Sequence, residues 1–187
     1  SDISVDSPTN NFATLNPLKE NNATFSEGNL SETGSAAGGA ALPVSTFSIP
    51  TNTPVYCEFV FTNHDCSYGI ASDTSDGGSA GVIGSDTDGL CWGAYVYNNA
   101  SYYGFYNGGT RTAHNFAGGG VYQMAVDLAN NKIWFGKDGT WYNSGNPATG
   151  ANATYTNVST TRDLFVSLFG NAGIANFGQD SSFAGNK

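Results

Sequence analysis

The chain has 187 residues, 39% hydrophobic and 11% charged, and its 15 acidic and 6 basic residues give a formal charge of −9. That balance repels nucleic-acid backbones and anionic lipid surfaces, and no apolar run reaches membrane-spanning length, so neither nucleic acid nor membrane insertion is expected. The composition is too apolar for disorder, and its 25 glycines suit many turns between short strands, which predicts one all-β domain.

Residues 1–22 hold Pro8 and Pro17 around short apolar pieces and read as an extended N-terminal arm, with a sandwich domain over residues 23–187. From Ala23 the pattern alternates, with Phe25 and Leu30 flanking a turn at Glu27-Gly28-Asn29. Residues 34–41 are small and glycine-rich, and read as a flexible loop, or else as a close-packed strand or a contact to another subunit. A short strand at 45–49 is stopped by Pro50 and Pro54, which cannot donate to a ladder. Over 56–62, Cys57, Phe59 and Phe61 share one face, Glu58 and Val60 the other. Cys57, Cys66 and Cys91 are an odd number without metal-ligand spacing; they read as small buried hydrophobes, or as one disulfide and a free thiol.

After a strand at 68–71, the stretch 72–89 is long and polar, as functional loops on rigid scaffolds tend to be. It contains Asp73, Asp76, Asp86 and Asp88. The Asp-x-Asp-Gly at 86–89 is half of an EF-hand loop and lacks its other ligands, so solvated carboxylates are the first reading and a weak Ca²⁺ site the alternative, with no other cofactor implied. Residues 90–109 are rich in aromatic rings, with a turn at 98–101 between two strands. Tyr97, Asn98, Tyr102 and Tyr103, with Asp86 and Asp88, are candidate ligand contacts, since exposed tyrosines stack on sugar faces or partner side chains; ordinary packing is the competing account. Arg111 and His114 join them from a loop that ends at Gly118-Gly119-Gly120, although a lone His is more often a hydrogen-bonding surface residue.

Residues 121–142, VYQMAVDLANNKIWFGKDGTWY, carry the clearest pattern. Tyr122, Met124, Val126 and Leu128 alternate with polar or small residues, Ala129-Asn130-Asn131 turns the chain, and Ile133 and Phe135 alternate with Lys132, Trp134 and Gly136. Asp138-Gly139 is a strong hairpin signal before a further strand that starts at Thr140-Trp141-Tyr142. A polar loop spans 143–161, strands follow at 164–169 and 174–178, and Phe183 tucks back under the last.

The run AVDLANNKIWFGKDGTWYNSGNPATG resembles the signature hairpin of SPRY domains. VYCEFVF at 55–61 is similar to that family's "wYfEv" strand, and LFVSLFGNAGIANFG at 164–178, followed by Gln179, to its closing strands. The resemblance covers about residues 45–183. It implies a concanavalin-like jelly roll, a sandwich of two antiparallel sheets, that binds and does not catalyse, with Glu58 structural. No loop residue carries over, because the segment after the first motif does not match. Residues 1–23 also resemble the opening of virion or tail-fibre-like proteins of aquatic bacteriophages.

No nucleophile elbow, metal-binding His-Glu helix or phosphate-binding loop occurs, and Glu58 is the one carboxylate placed in a strand interior, so a polysaccharide-degrading enzyme is a minor alternative. The expectation is a non-enzymatic module of an extracellular assembly, a bacteriophage capsid or tail appendage, located on a virion or cell surface, with a secreted or surface adhesin as the runner-up. Its partners are expected to be copies of itself, other virion or surface proteins, and a glycan or protein ligand, met through the loops 72–89, 98–101, 107–120 and 143–161. The expected core is Phe59, Phe61, Met124, Val126, Leu128, Ile133, Phe135, Val166, Leu168 and Phe177.

Overall fold

The computed structural model describes residues 11–19, 23–33, 43–62, 65–72, 82–96, 103–169 and 172–183. Its strands are β1 (Thr24–Ser26), β2 (Ser31–Thr33), β3 (Val44–Ser48), β4 (Val55–Phe61), β5 (Cys66–Ser72), β6 (Cys91–Val96), β7 (Gly104–Asn107), β8 (Thr110–Ala113), β9 (Tyr122–Asp127), β10 (Lys132–Lys137), β11 (Thr140–Trp141), β12 (Leu164–Phe169) and β13 (Ala172–Asn176). They form two antiparallel sheets, one of order β1-β2-β13-β4-β9-β10-β11 and one of order β3-β12-β5-β6-β7-β8. No α-helix occurs among the described residues.

The β9–β10 hairpin follows its sequence pattern. Val126 lies opposite Ile133 and Met124 opposite Phe135, so the apolar alternation of both strands falls on one face. Asp127 caps the connecting 3₁₀ turn by accepting the Asn130 N–H, and Asn131 takes the left-handed conformation at φ 57°, which Asn tolerates. At the far end Asp138 (φ 49°) and Gly139 (φ 78°) form the two-residue turn that matches strand twist.

Between the sheets the core is aromatic. Tyr68 of β5 packs 5.1 Å from Phe59, 5.5 Å from Tyr122 and 5.5 Å from Phe135, ring centre to ring centre. Its hydroxyl donates to the Gly136 carbonyl at 3.3 Å, so the ring is buried without leaving a polar atom alone. Each such side chain withdrawn from water contributes about 2 kcal/mol. Nine of the ten expected core residues are buried; Phe177 is only half-buried. β13 ends at Asn176, where the side-chain oxygen accepts the N–H groups of Gly178 and Asp180, and Gly178 turns at φ 107°, so Phe177 lies outside the strand. Phe183 is buried.

Among the described residues two carboxylates, not one, lie buried in strand interiors. Glu32 of β2 is wholly buried, and Glu58 of β4 is 2% exposed. Glu32 sits in the transverse row of Gly173 and the core residue Phe61, whereas Glu58 sits in the row of Asn176. Phe61 and Glu58 are three residues apart, so the two carboxylates face opposite sides of the sheet and cannot flank one glycosidic bond. Glu58 accepts from Tyr56 Oη at 2.5 Å and Asn176 Nδ2 at 3.2 Å, a structural use of the group.

Leu15 is wholly buried and belongs to the main core. Asn16 N–H donates to the Val44 carbonyl and Thr46 N–H to that of Thr14, so this part of the arm closes the edge of β3. The arm therefore needs no neighbouring molecule to cover it here. The three cysteines are buried free thiols, and burial pushes those of Cys57 and Cys66 well above the usual thiol range. The small-residue stretch 34–41 lies outside the described residues.

Candidate binding cleft

β7 and β8 form a hairpin whose turn, Gly108-Gly109, has both residues at positive φ, 55° and 72°. The two ends of this hairpin divide the residues that the sequence singles out. Tyr103 and His114 lie at its open end, Arg111 stands one position from its turn and reaches back along the hairpin with its side chain, and Asp86 and Asp88 lie near the turn, where the Asp86 carbonyl and the Thr87 methyl flank Gly109.

At the open end His114 is packed as a ring. Tyr103 stacks on it at 5.6 Å with planes 10° apart, Phe105 lies at 4.6 Å and Phe116 at 4.9 Å. Its Nδ1 accepts the Phe116 N–H at 3.0 Å, which places the imidazole proton on the buried Nε2. Burial, the largest cause, holds the group down at about pKa 4; the backbone of Tyr95 opposes the shift and the charge of Arg111 adds to it. The ring is neutral at physiological pH.

Arg111 is committed to its own hairpin. Its Nη2 and Nε donate to the Tyr103 carbonyl at 2.8 and 3.2 Å, and its stem crosses Gly104, where an added Cβ would come 2.8 Å from Arg111 Cγ.

Next to this stack a cavity of about 390 Å³ opens between the ends of the two sheets, lined by residues 113–116 on one side and 140–143 on the other. Phe116 and Tyr142 stand edge to face at 6.5 Å, and Phe105 braces Tyr142 from below at 4.7 Å. Trp141 forms part of the wall and also lies against Gly136, where an added Cβ would meet its ring at 2.9 Å. The lining carries no formal charge.

Phe116 and Asn143 fall within the loops 107–120 and 143–161 expected to make contacts, whereas Thr140, Trp141 and Tyr142 lie outside every expected loop. The sequence pattern starts a strand at Thr140-Trp141-Tyr142. The strand stops at Trp141, because Asn143 and Ser144 both take positive φ, 53° and 55°, which turns the chain out of the extended conformation. The run Asn143-Ser144-Gly145 was the available signal.

Asp88 Oδ1 accepts the Leu90 N–H at 2.8 Å, an Asx turn that fixes its own loop. No group of three His, Cys, Asp or Glu side chains suited to a metal occurs among the described residues. Asp73, Asp76, Tyr97, Asn98 and Tyr102, and with them the turn at 98–101, lie outside those residues. Of the loop 143–161, a large part braces β10. Trp134 Nε1 donates to the Ala151 carbonyl at 2.8 Å, and Ile133 and Tyr155 form a bridge.

The sequence matches no family model and no curated protein. Solved structures do match. The SPRY domain of human HERC1 superposes with a TM-score of 0.64 at 17% identity, over 89% of this chain and 99% of that one. The fold is the SPRY sandwich. The TRIM65 PSpry domain agrees at 0.66 and 13% identity, over 95% of this chain and 100% of that one. Stonustoxin matches at 0.56 and 13% identity, with 88% of this chain covering 26% of the toxin chain. Both SPRY domains are thus covered almost end to end by this one chain.

Proposed function

We propose that the chain is a non-catalytic recognition module that holds a protein partner in the cleft between residues 113–116 and 140–143. The observation that carries this reading is the cavity of about 390 Å³ whose walls, Phe116, Trp141 and Tyr142, are held by packing behind them while their front faces open space. Such rigid aromatic walls bind at low entropic cost, and fully enclosed aromatic contacts dominate interface energies. The SPRY sandwich supports the reading as a scaffold for recognition. A neutral His114 and an uncharged lining favour an apolar or aromatic side chain over a charged one.

The test is to present the full chain to an array of peptides and an array of glycans. Retention by peptides with large apolar side chains is expected; retention by glycans alone would replace the protein-partner reading with the lectin one, and turnover of any polysaccharide would end both. The setting, on a virion or cell surface, rests on the likeness of residues 1–23 to phage appendage proteins. Electron microscopy of the native source without repeated copies on a particle, fibre or cell would remove it.

A further inference from the structure

β8 ends the six-stranded sheet, and all four of its residues are exposed. The opposite edge of the same sheet, β3, is covered by residues 14–16. Within the β7–β8 hairpin the two-residue turn makes Asn107 and Thr110 a hydrogen-bonded pair, so by alternation Gly104 and Ala113 are a non-bonded one. The N–H and C=O of Ala113 therefore point away from β7, and no described residue bonds either. Exposed edge groups of this kind are what an added strand pairs with.

Ala113 is also the first residue of the cavity lining. Side chains of a strand added beside β8 would alternate between the outer face, with Arg111 and Ala113, and the inner face, with Thr112 and the core residue Phe105. The inner positions lie over the gap between the sheets, where the cavity opens.

We infer that the partner binds as an extended strand added to β8 at Ala113, with one large uncharged side chain seated between Phe116, Trp141 and Tyr142. This rests on the proposed function and specifies the partner as a peptide segment. A second copy of this chain fits less well. If its β8 paired antiparallel with Ala113 opposite Arg111 or Ala113 of the copy, the residue brought beside His114 would be Thr110 or Thr112, too small to fill the cavity.

The experiment uses the full chain, labelled with ¹⁵N, and short threonine- and valine-rich synthetic peptides that differ at one central position, Trp, Phe, Asp or Lys. Expected is binding by the Trp or Phe peptide at millimolar concentration or tighter, with exchange of the Ala113 amide slowed at least tenfold. Loss of binding is expected when the peptide backbone is N-methylated at its pairing positions, and in Ala113→Pro, which removes only an outward N–H and leaves the β7 bonds intact. The N-methylated peptide serves the purpose should that variant fold poorly. Shifts at Trp141 and Tyr142 without slowed exchange at Ala113 would overturn strand addition and leave the cleft reading standing. Absence of binding by every peptide, or slowed exchange that grows with protein concentration alone, would also overturn it.

Discussion

His114 behaves as a packed hydrophobe, and this has a consequence for stability against pH. Its folded pKa of about 4 lies below the ordinary 6.5, so as pH falls the unfolded chain takes up the proton first. The native state then loses stability from about pH 6.5 down to about pH 4, approaching about 3 kcal/mol in total, and the effect is absent above pH 6.5. His114→Asn keeps an acceptor for the Phe116 N–H and removes the titration. Urea unfolding of parent and variant should show their stability difference constant above pH 6.5 and moving by about 3 kcal/mol against the parent by pH 4; parallel curves would refute the assignment. The sequence showed His114 only as a lone ring in a loop. Its partners Tyr103, Phe105 and Phe116 come from both sides of the β7–β8 turn, and no linear period marks them. Asp86 and Asp88 attracted notice by their type, yet Asp88 is used to hold Leu90.

At the scale of elements, periodicity was legible wherever one face of a strand meets the core, as in β9, β10 and β12. It was silent about coverage of the other face. Gly69 of β5 and Gly93 of β6 lie opposite each other, and Ile83 passes close above Gly93. Ile83 N–H donates to Ser67 Oγ at 3.1 Å, and a Cβ on Gly93 would meet the Ile83 carbonyl at 2.4 Å. Gly93→Ala should therefore lift Ile83, cost about 2 kcal/mol and speed its amide exchange, while Gly119→Ala, with nothing near its added methyl, should change little. Equal melting temperatures for the two variants would contradict the close approach. The braces at residues 14–16 and 151–155 were equally hidden, because their contacts join segments far apart in the chain and much of the bonding is between backbone groups that any sequence supplies.

Across the whole molecule, two sheets end on the same flank, one at β8 and the other at β11, and the cleft is the opening left between them. The hairpin motif of residues 121–142 was enough to read the sandwich, because the SPRY-like run fixes which strands pair. The site was not readable in the same way, since its two walls are 24 or more residues apart in the chain and meet only through the topology. The other end of the β7–β8 hairpin, with Asp88, offers a built-in control. The decisive measurement is the affinity of a peptide selected on the full chain, compared among the parent, Trp141→Ala and Asp88→Ala. Partner recognition in the cleft predicts a loss of about tenfold or more for Trp141→Ala and less than about twofold for Asp88→Ala; the reverse order would place the binding site at the other end of the hairpin and contradict the cleft.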